Sequence, residues 1–143
     1  MSHRMIWLLA VSFVAISSLG HTSEAQPPVC IVAVVCDNAV EICVDYVPGW
    51  FGDGELIVSM VNQAGSQFCV SNPLASGTGV PTLALGPLGI VPLAPNSGFV
   101  WTRPRLAGEP AHPWAGAGPM TIQVCFYLDC DCDGVYDSGT PTC

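Results

Sequence analysis

The sequence predicts an all-β fold: an antiparallel β-sandwich of the immunoglobulin-like kind, with a long Pro/Gly-rich loop region and disulfides. Three observations carry this. Separate segments alternate apolar and polar residues with the period of a strand that has one wet face. Turn-forming residues punctuate them, among 15 Gly and 13 Pro in 143 residues. No window shows a 3.6-residue apolar stripe between helix caps.

Residues 29–36 (VCIVAVVC) form a continuous apolar run rich in β-branched side chains and are expected as a buried strand. Residues 40–47 alternate, with Ile42, Val44 and Tyr46 on one face and Glu41, Cys43 and Asp45 on the other. The turn-like Asp37, Asn38 and Ala39 separate these two strands as a hairpin. After Pro48-Gly49 and Gly52-Asp53-Gly54, residues 55–62 alternate again, setting Leu56, Val58 and Met60 against Glu55, Ile57 and Ser59. A short return is expected over 67–70, past the turn at Ala64-Gly65.

From Ser71 to Met120 the chain changes character and holds nine of its prolines, which cannot donate to a central ladder. Two short edge strands are expected there, 88–93 and 98–102, followed by an irregular loop over 103–119. The last strand, 120–128, points Ile122, Val124, Phe126 and Leu128 inward and Thr121, Gln123, Cys125 and Tyr127 outward.

The first 25 residues read as a signal peptide. Arg4 precedes an apolar run over 5–16, and Ser23 and Ala25 stand at small-residue cleavage positions. The remainder, 26–143, has room for a single disulfide-bonded β domain. All eight cysteines lie in it, and an even count in an exported chain is expected as four disulfides. Cys36 and Cys43 are candidates to face each other across the hairpin, and Cys143 to return to Cys130 or Cys132. An i, i+2 bridge between Cys130 and Cys132 fits disulfide geometry badly. The Cys-x-x-Cys spacing of a zinc knuckle is absent. Localisation is therefore expected to be secreted, extracellular or periplasmic.

Three basic residues against eleven acidic ones give a net charge of −8, and there is no Lys. Nucleic acid is excluded as a partner, since only Arg103 and Arg105 follow the leader to meet phosphates. No apolar run of about 20 residues follows the leader either, so no membrane span is expected. The inventory for catalysis is thin. His112, between two prolines in EPAHPWAG, is expected as a surface loop residue, and no nucleophile elbow is present. The chain is read as non-enzymatic, with no catalytic residue. Trp50 and Phe51, in a Gly-rich loop, and Trp101 and Trp114, flanking the Pro-rich stretch, are weighed as core residues or as anchors for a partner.

One segment carries chemistry. In YLDCDCDGVYDSGT, Asp129, Asp131, Asp133 and Asp137 fall at loop positions 1, 3, 5 and 9, Gly134 at the turn, and the Val135 carbonyl at position 7. Alternate acidic side chains on a curled backbone converge on one point, and without a cation they repel. The segment resembles the calcium loops of bacterial surface-adhesin B-repeats, thrombospondin type 3 modules and dockerins, which share a D-x-D/N-x-D/N-G core. That resemblance covers the loop alone and implies calcium ligation by Asp129, Asp131, Asp133 and Asp137. Thr140 stands at position 12, where those loops carry an acidic ligand. The expected function is a secreted, calcium-stabilised structural, adhesive or surface-interaction module, whose partner would be a protein or glycan. The alternative is a secreted Cys-rich inhibitor or toxin-like protein using 71–119 as its binding loop.

Overall fold

A computed structural model describes residues 28–63, 65–116 and 121–143. The leader expected over 1–25, Ala64 and Met120 lie outside them. The fold is all-β, in two antiparallel sheets. Among the described residues, no helix is long and apolar enough to cross a membrane.

The first sheet is a meander plus one returning strand, in the order β1 (Val29–Val35), β2 (Asn38–Pro48), β3 (Gly54–Asn62), β7 (Ser97–Pro104). The second is built on β4 (Phe68–Gly77), which pairs with β8 (Ile122–Asp129) along most of its length. β5 (Val80–Ala84) joins the Leu74–Gly77 end of β4, and β6 (Ile90–Leu93) joins its Phe68–Ser71 end. Gly86 links the sheets through paired bonds with Thr102, its N–H donating over 2.8 Å and its carbonyl accepting over 2.7 Å.

The alternating patterns land as expected. Ile42 and Val44 of β2 and Leu56, Val58 and Met60 of β3 are buried, and meet Phe68, Val70, Leu93 and Phe126 of the second sheet in one core. Ile122, Val124 and Leu128 of β8 pack against that core half-buried. Such burial contributes roughly 25 cal/mol per Å² of apolar surface, the main term favouring this fold.

Four expectations are corrected. β1 is not buried: it is the edge of its sheet, and Val29, Ile31, Val32 and Val34 are exposed. A continuous apolar run fits a doubly covered strand, but the second sheet does not reach over this one. The hairpin turn is formed by Cys36 and Asp37, both in the left-handed region at φ 49° and 62°, so that Asn38 begins β2. Two positive φ values give a two-residue turn the twist that matches its strands. The Pro-rich region holds an extra strand, β5, and carries β4 through Pro73, so eight strands form where the seven segments named above were expected. Lastly, Cys36 does not pair with Cys43, nor Cys143 with Cys130 or Cys132. The bridges are Cys30–Cys43, Cys36–Cys130, Cys69–Cys132 and Cys125–Cys143.

Candidate metal site

The aspartate loop begins where β8 runs out. Asp129 is the last residue of that strand, opposite Cys69 of β4, and is buried. The two cysteines that interrupt the acidic series fasten the loop to both sheets. Cys130 is bonded to Cys36 in the β1–β2 turn, and Cys132 to Cys69 within β4. The backbone then reverses through Cys132 at φ 56° and Gly134 at φ 90°. Glycine at the second of these removes the steric cost that a Cβ would impose there.

Hydrogen bonds complete the curl. The Asp129 carboxylate accepts from the amides of Asp133 at 3.2 Å and Gly134 at 2.9 Å. Asp131 accepts from the Asp133 amide at 3.3 Å, and Asp133 from the Val135 amide at 2.7 Å. The loop is closed by the Asp137 amide donating to the Leu128 carbonyl at 2.9 Å. Tyr136 packs its ring 5.0 Å from that of Tyr127 and shares a 2.7 Å hydrogen bond with Ser71 of β4.

Of the four carboxylates expected as ligands, three are brought together. Carboxylate oxygens of Asp129, Asp131 and Asp133 all lie within 4.8 Å of one another. Calcium–oxygen distances of about 2.3–2.6 Å place opposed ligands about 5 Å apart, so one ion spans such a triad. Asp137 is engaged elsewhere, its Oδ2 accepting from the Cys130 amide at 2.6 Å. Val135 contributes its amide to Asp133, with its side chain exposed. Thr140 takes part in a separate turn, in which its amide donates to the Ser138 hydroxyl at 3.2 Å.

The electrostatics of the triad are those of a crowded acidic pair. Burial pushes the Asp129 carboxyl up, but the Gly134 amide, the hydrogen bond with Asp131 and the Asp133 and Cys132 amides outweigh it and hold it below the usual range. Asp131 is held above the usual range, chiefly by that same hydrogen bond with Asp129. One proton is thus retained more readily between two carboxylates than either would retain alone, and a divalent cation placed there would take over its role. A second grouping, Cys36, Cys130 and Asp137, has no such capacity. Its two sulfurs are bonded to each other and offer no thiolate.

The remaining candidates sort by burial. His112 is not a surface residue: it is buried, 2% exposed, with its ring 5.1 Å from Tyr46. Its Nδ1 accepts from the Trp114 amide at 3.1 Å, which leaves Nε2–H to donate to the Arg103 carbonyl at 2.9 Å. Both ring nitrogens are therefore committed to holding the 105–116 loop, and neither is available as a base. Burial pushes the imidazole pKa down, keeping it neutral. Trp101 and Trp114 are core residues, the latter donating its indole N–H to the Pro81 carbonyl at 3.0 Å. Trp50 and Phe51, by contrast, stand out at 83% and 97% exposure on the turn between β2 and β3. Sequence reasoning could not separate the two tryptophan classes, because each flanks a glycine- or proline-rich stretch.

No protein-family model, curated protein or solved structure matches the chain.

Proposed function

We propose that the chain is an exported, non-enzymatic β-sandwich module with a structural or surface-interaction role, and that its aspartate loop binds calcium and stiffens the C-terminal end. The observation that carries this reading is the convergence of the Asp129, Asp131 and Asp133 oxygens within 4.8 Å. Three carboxylates supply the charge, and backbone carbonyl and water oxygens would complete the six to eight ligands that calcium takes. With both loop cysteines bonded to the two sheets, the site is held in a curled form before any ion arrives, so that little ordering entropy remains to be lost. Four disulfides fit an oxidising compartment, where calcium is millimolar and a site with a dissociation constant on the order of 10⁻⁴–10⁻³ M would be filled.

The reading as an inhibitor that binds through 71–119 draws no support from the surroundings of Arg103 and Trp114. Trp114 is buried and Arg103 is spent on Glu109, at 2.7 Å and 2.5 Å. Thermal unfolding of the oxidised chain with added calcium and with chelator tests the calcium reading. Millimolar calcium should raise the melting temperature by several degrees, with D131N/D133N abolishing the shift. An unchanged melting temperature at 10 mM calcium would overturn it.

A further inference from the structure

Edges of sheets offer unpaired amides and carbonyls to any strand that meets them, and folded proteins usually blunt them. Among the described residues all but one are blunted. The outer side of β8 is covered by the tail, through reciprocal 2.8 Å bonds between Phe126 and Thr142. β7 is met by Gly86 at Thr102 and ends in Pro104. β5 and β6 are broken by Pro81 and Pro92. β1 alone carries no charge, no proline and no bulge over its seven residues. Among the described residues nothing pairs with its outer side.

The orientation of that edge follows from its partner strand. Cys30 and Cys43 face each other with their Cα atoms 4.1 Å apart, the close spacing of a non-hydrogen-bonded pair, typically about 4.5 Å. In the same parity Ala39, opposite Val34, turns its carbonyl away from β1 and accepts from the Gln63 amide at 2.9 Å. The amides and carbonyls of Cys30, Val32 and Val34 therefore point outward. Their side chains are exposed with them, Val32 by 63% and Val34 by 80%, while Val29 and Ile31 on the opposite face are exposed by 58% and 59%. The Cys30–Cys43 bridge fixes the strand to β2, so the edge is rigid and cannot be exchanged for another strand.

We propose that the free edge of β1 pairs antiparallel with β1 of a second copy of this chain, about a twofold axis through Val32. A second copy is the occupant that the pattern fits. The axis sets Val32 against Val32, Cys30 against Val34, Ile31 against Ala33 and Val29 against Val35, and every outward amide meets an outward carbonyl. No charged side chain enters this register, whereas the nearest acids, Asp37 and Glu41, sit in the turn and one strand further in. A chain of net charge −8 thus meets its copy along an uncharged strand of its own sheet, in a self-complementary contact that closes at two. Seven residues are about 23 Å of strand, a contact smaller than the ~800 Å² per partner of a standard interface, so the dimer is weak and concentration-dependent. This inference is independent of the calcium loop.

Sedimentation velocity of the oxidised chain from about 1 µM to about 1 mM is the test. A monomer–dimer equilibrium is expected, strengthened by added salt because like-charged copies are then screened. Val32→Lys, at a solvent-facing position that the fold does not need, should weaken it at least tenfold, whereas Val100→Lys on β7 should leave it unchanged. Hydrogen exchange gives a reading that needs no variant: the Cys30, Val32 and Val34 amides gain protection at high concentration, and those of Ile31 and Ala33 do not change. A chain monomeric throughout would overturn the proposal. So would a dimer that salt dissolves, or one that V32K leaves intact while substitution of Trp50 and Phe51 abolishes it.

Discussion

Cys36 and Cys130 are joined across 94 residues of sequence, so that the tip of the first hairpin is bonded to the start of the aspartate loop. One lies in the β1–β2 turn, the other just past the end of β8. Their bond ties the first sheet to the second at the end where the acidic side chains gather, and its sequence separation is the longest of the four bridges.

Removing that bridge should be correspondingly costly. C36S/C130S is expected to lose about 2–4 kcal/mol of unfolding free energy, because the loop it closes, from Cys36 to Cys69 and back through the Cys69–Cys132 bridge, is released in the unfolded state. C30S/C43S, which closes a separation of only 13 residues, should lose less. Denaturant unfolding of the two variants gives the order. Equal losses would show that native-state contacts, rather than loop length, set the value.

Asp129 and Asp133 play different parts in the loop, and their substitutions should separate. Asp129 is buried and accepts two amides, so D129A should lower the melting temperature whether or not calcium is present. Asp133 is exposed and accepts one amide, so D133A should cost little in chelator and mainly reduce the calcium-dependent rise. A thermal melt of each with and without calcium checks this. Identical behaviour would place the triad's role in the fold alone.

The ion pair of Arg103 with Glu109 predicts a stability loss at acid pH. The Arg103 guanidinium, with help from the Leu106 amide, holds the Glu109 carboxyl down at about 2. A carboxylate whose folded pKa is lowered adds stability above its unfolded pKa of about 4.3, and that stability disappears as pH falls toward the folded value. Stability should therefore decline between roughly pH 4.5 and 2, and E109Q should flatten that decline, as followed by urea midpoints across the range.

His112 acts in a higher window. Its folded pKa lies below the unfolded value of about 6.5, so the unfolded chain takes up the proton first and stability falls as pH drops from neutrality. Protonation of Nδ1 would also put two donors, the imidazolium and the Trp114 amide, face to face. A loss between pH 7 and 5 is expected in the wild type and not in H112Q. At neutral pH H112A should cost about 2–4 kcal/mol, from a buried cavity and two lost hydrogen bonds. Backbone exchange of residues 105–116 would show where the loss falls.

Strand faces depend on parity, and parity is written in the order of residues. Ile42, Val44, Leu56, Val58 and Met60 could therefore be assigned to the core before any partner strand was known. The acidic spacing from Asp129 was legible for the same reason, being local. What no local pattern decides is which surfaces are covered by distant parts of the chain. The apolar run of β1 reads as interior until the reach of the second sheet is known, and His112 reads as surface until Tyr46 and Trp114 close over it. Cysteine pairing is undecided along the chain for the same reason, since the bonds follow how the two sheets stack. Sequence by itself determined the all-β class, the inward faces and the acidic loop, because each depends on neighbours a few residues away. Tertiary structure alone decided the disulfide pairs, the withdrawal of Asp137 from the aspartate triad and the bare edge of β1, because each depends on which remote segment arrives alongside.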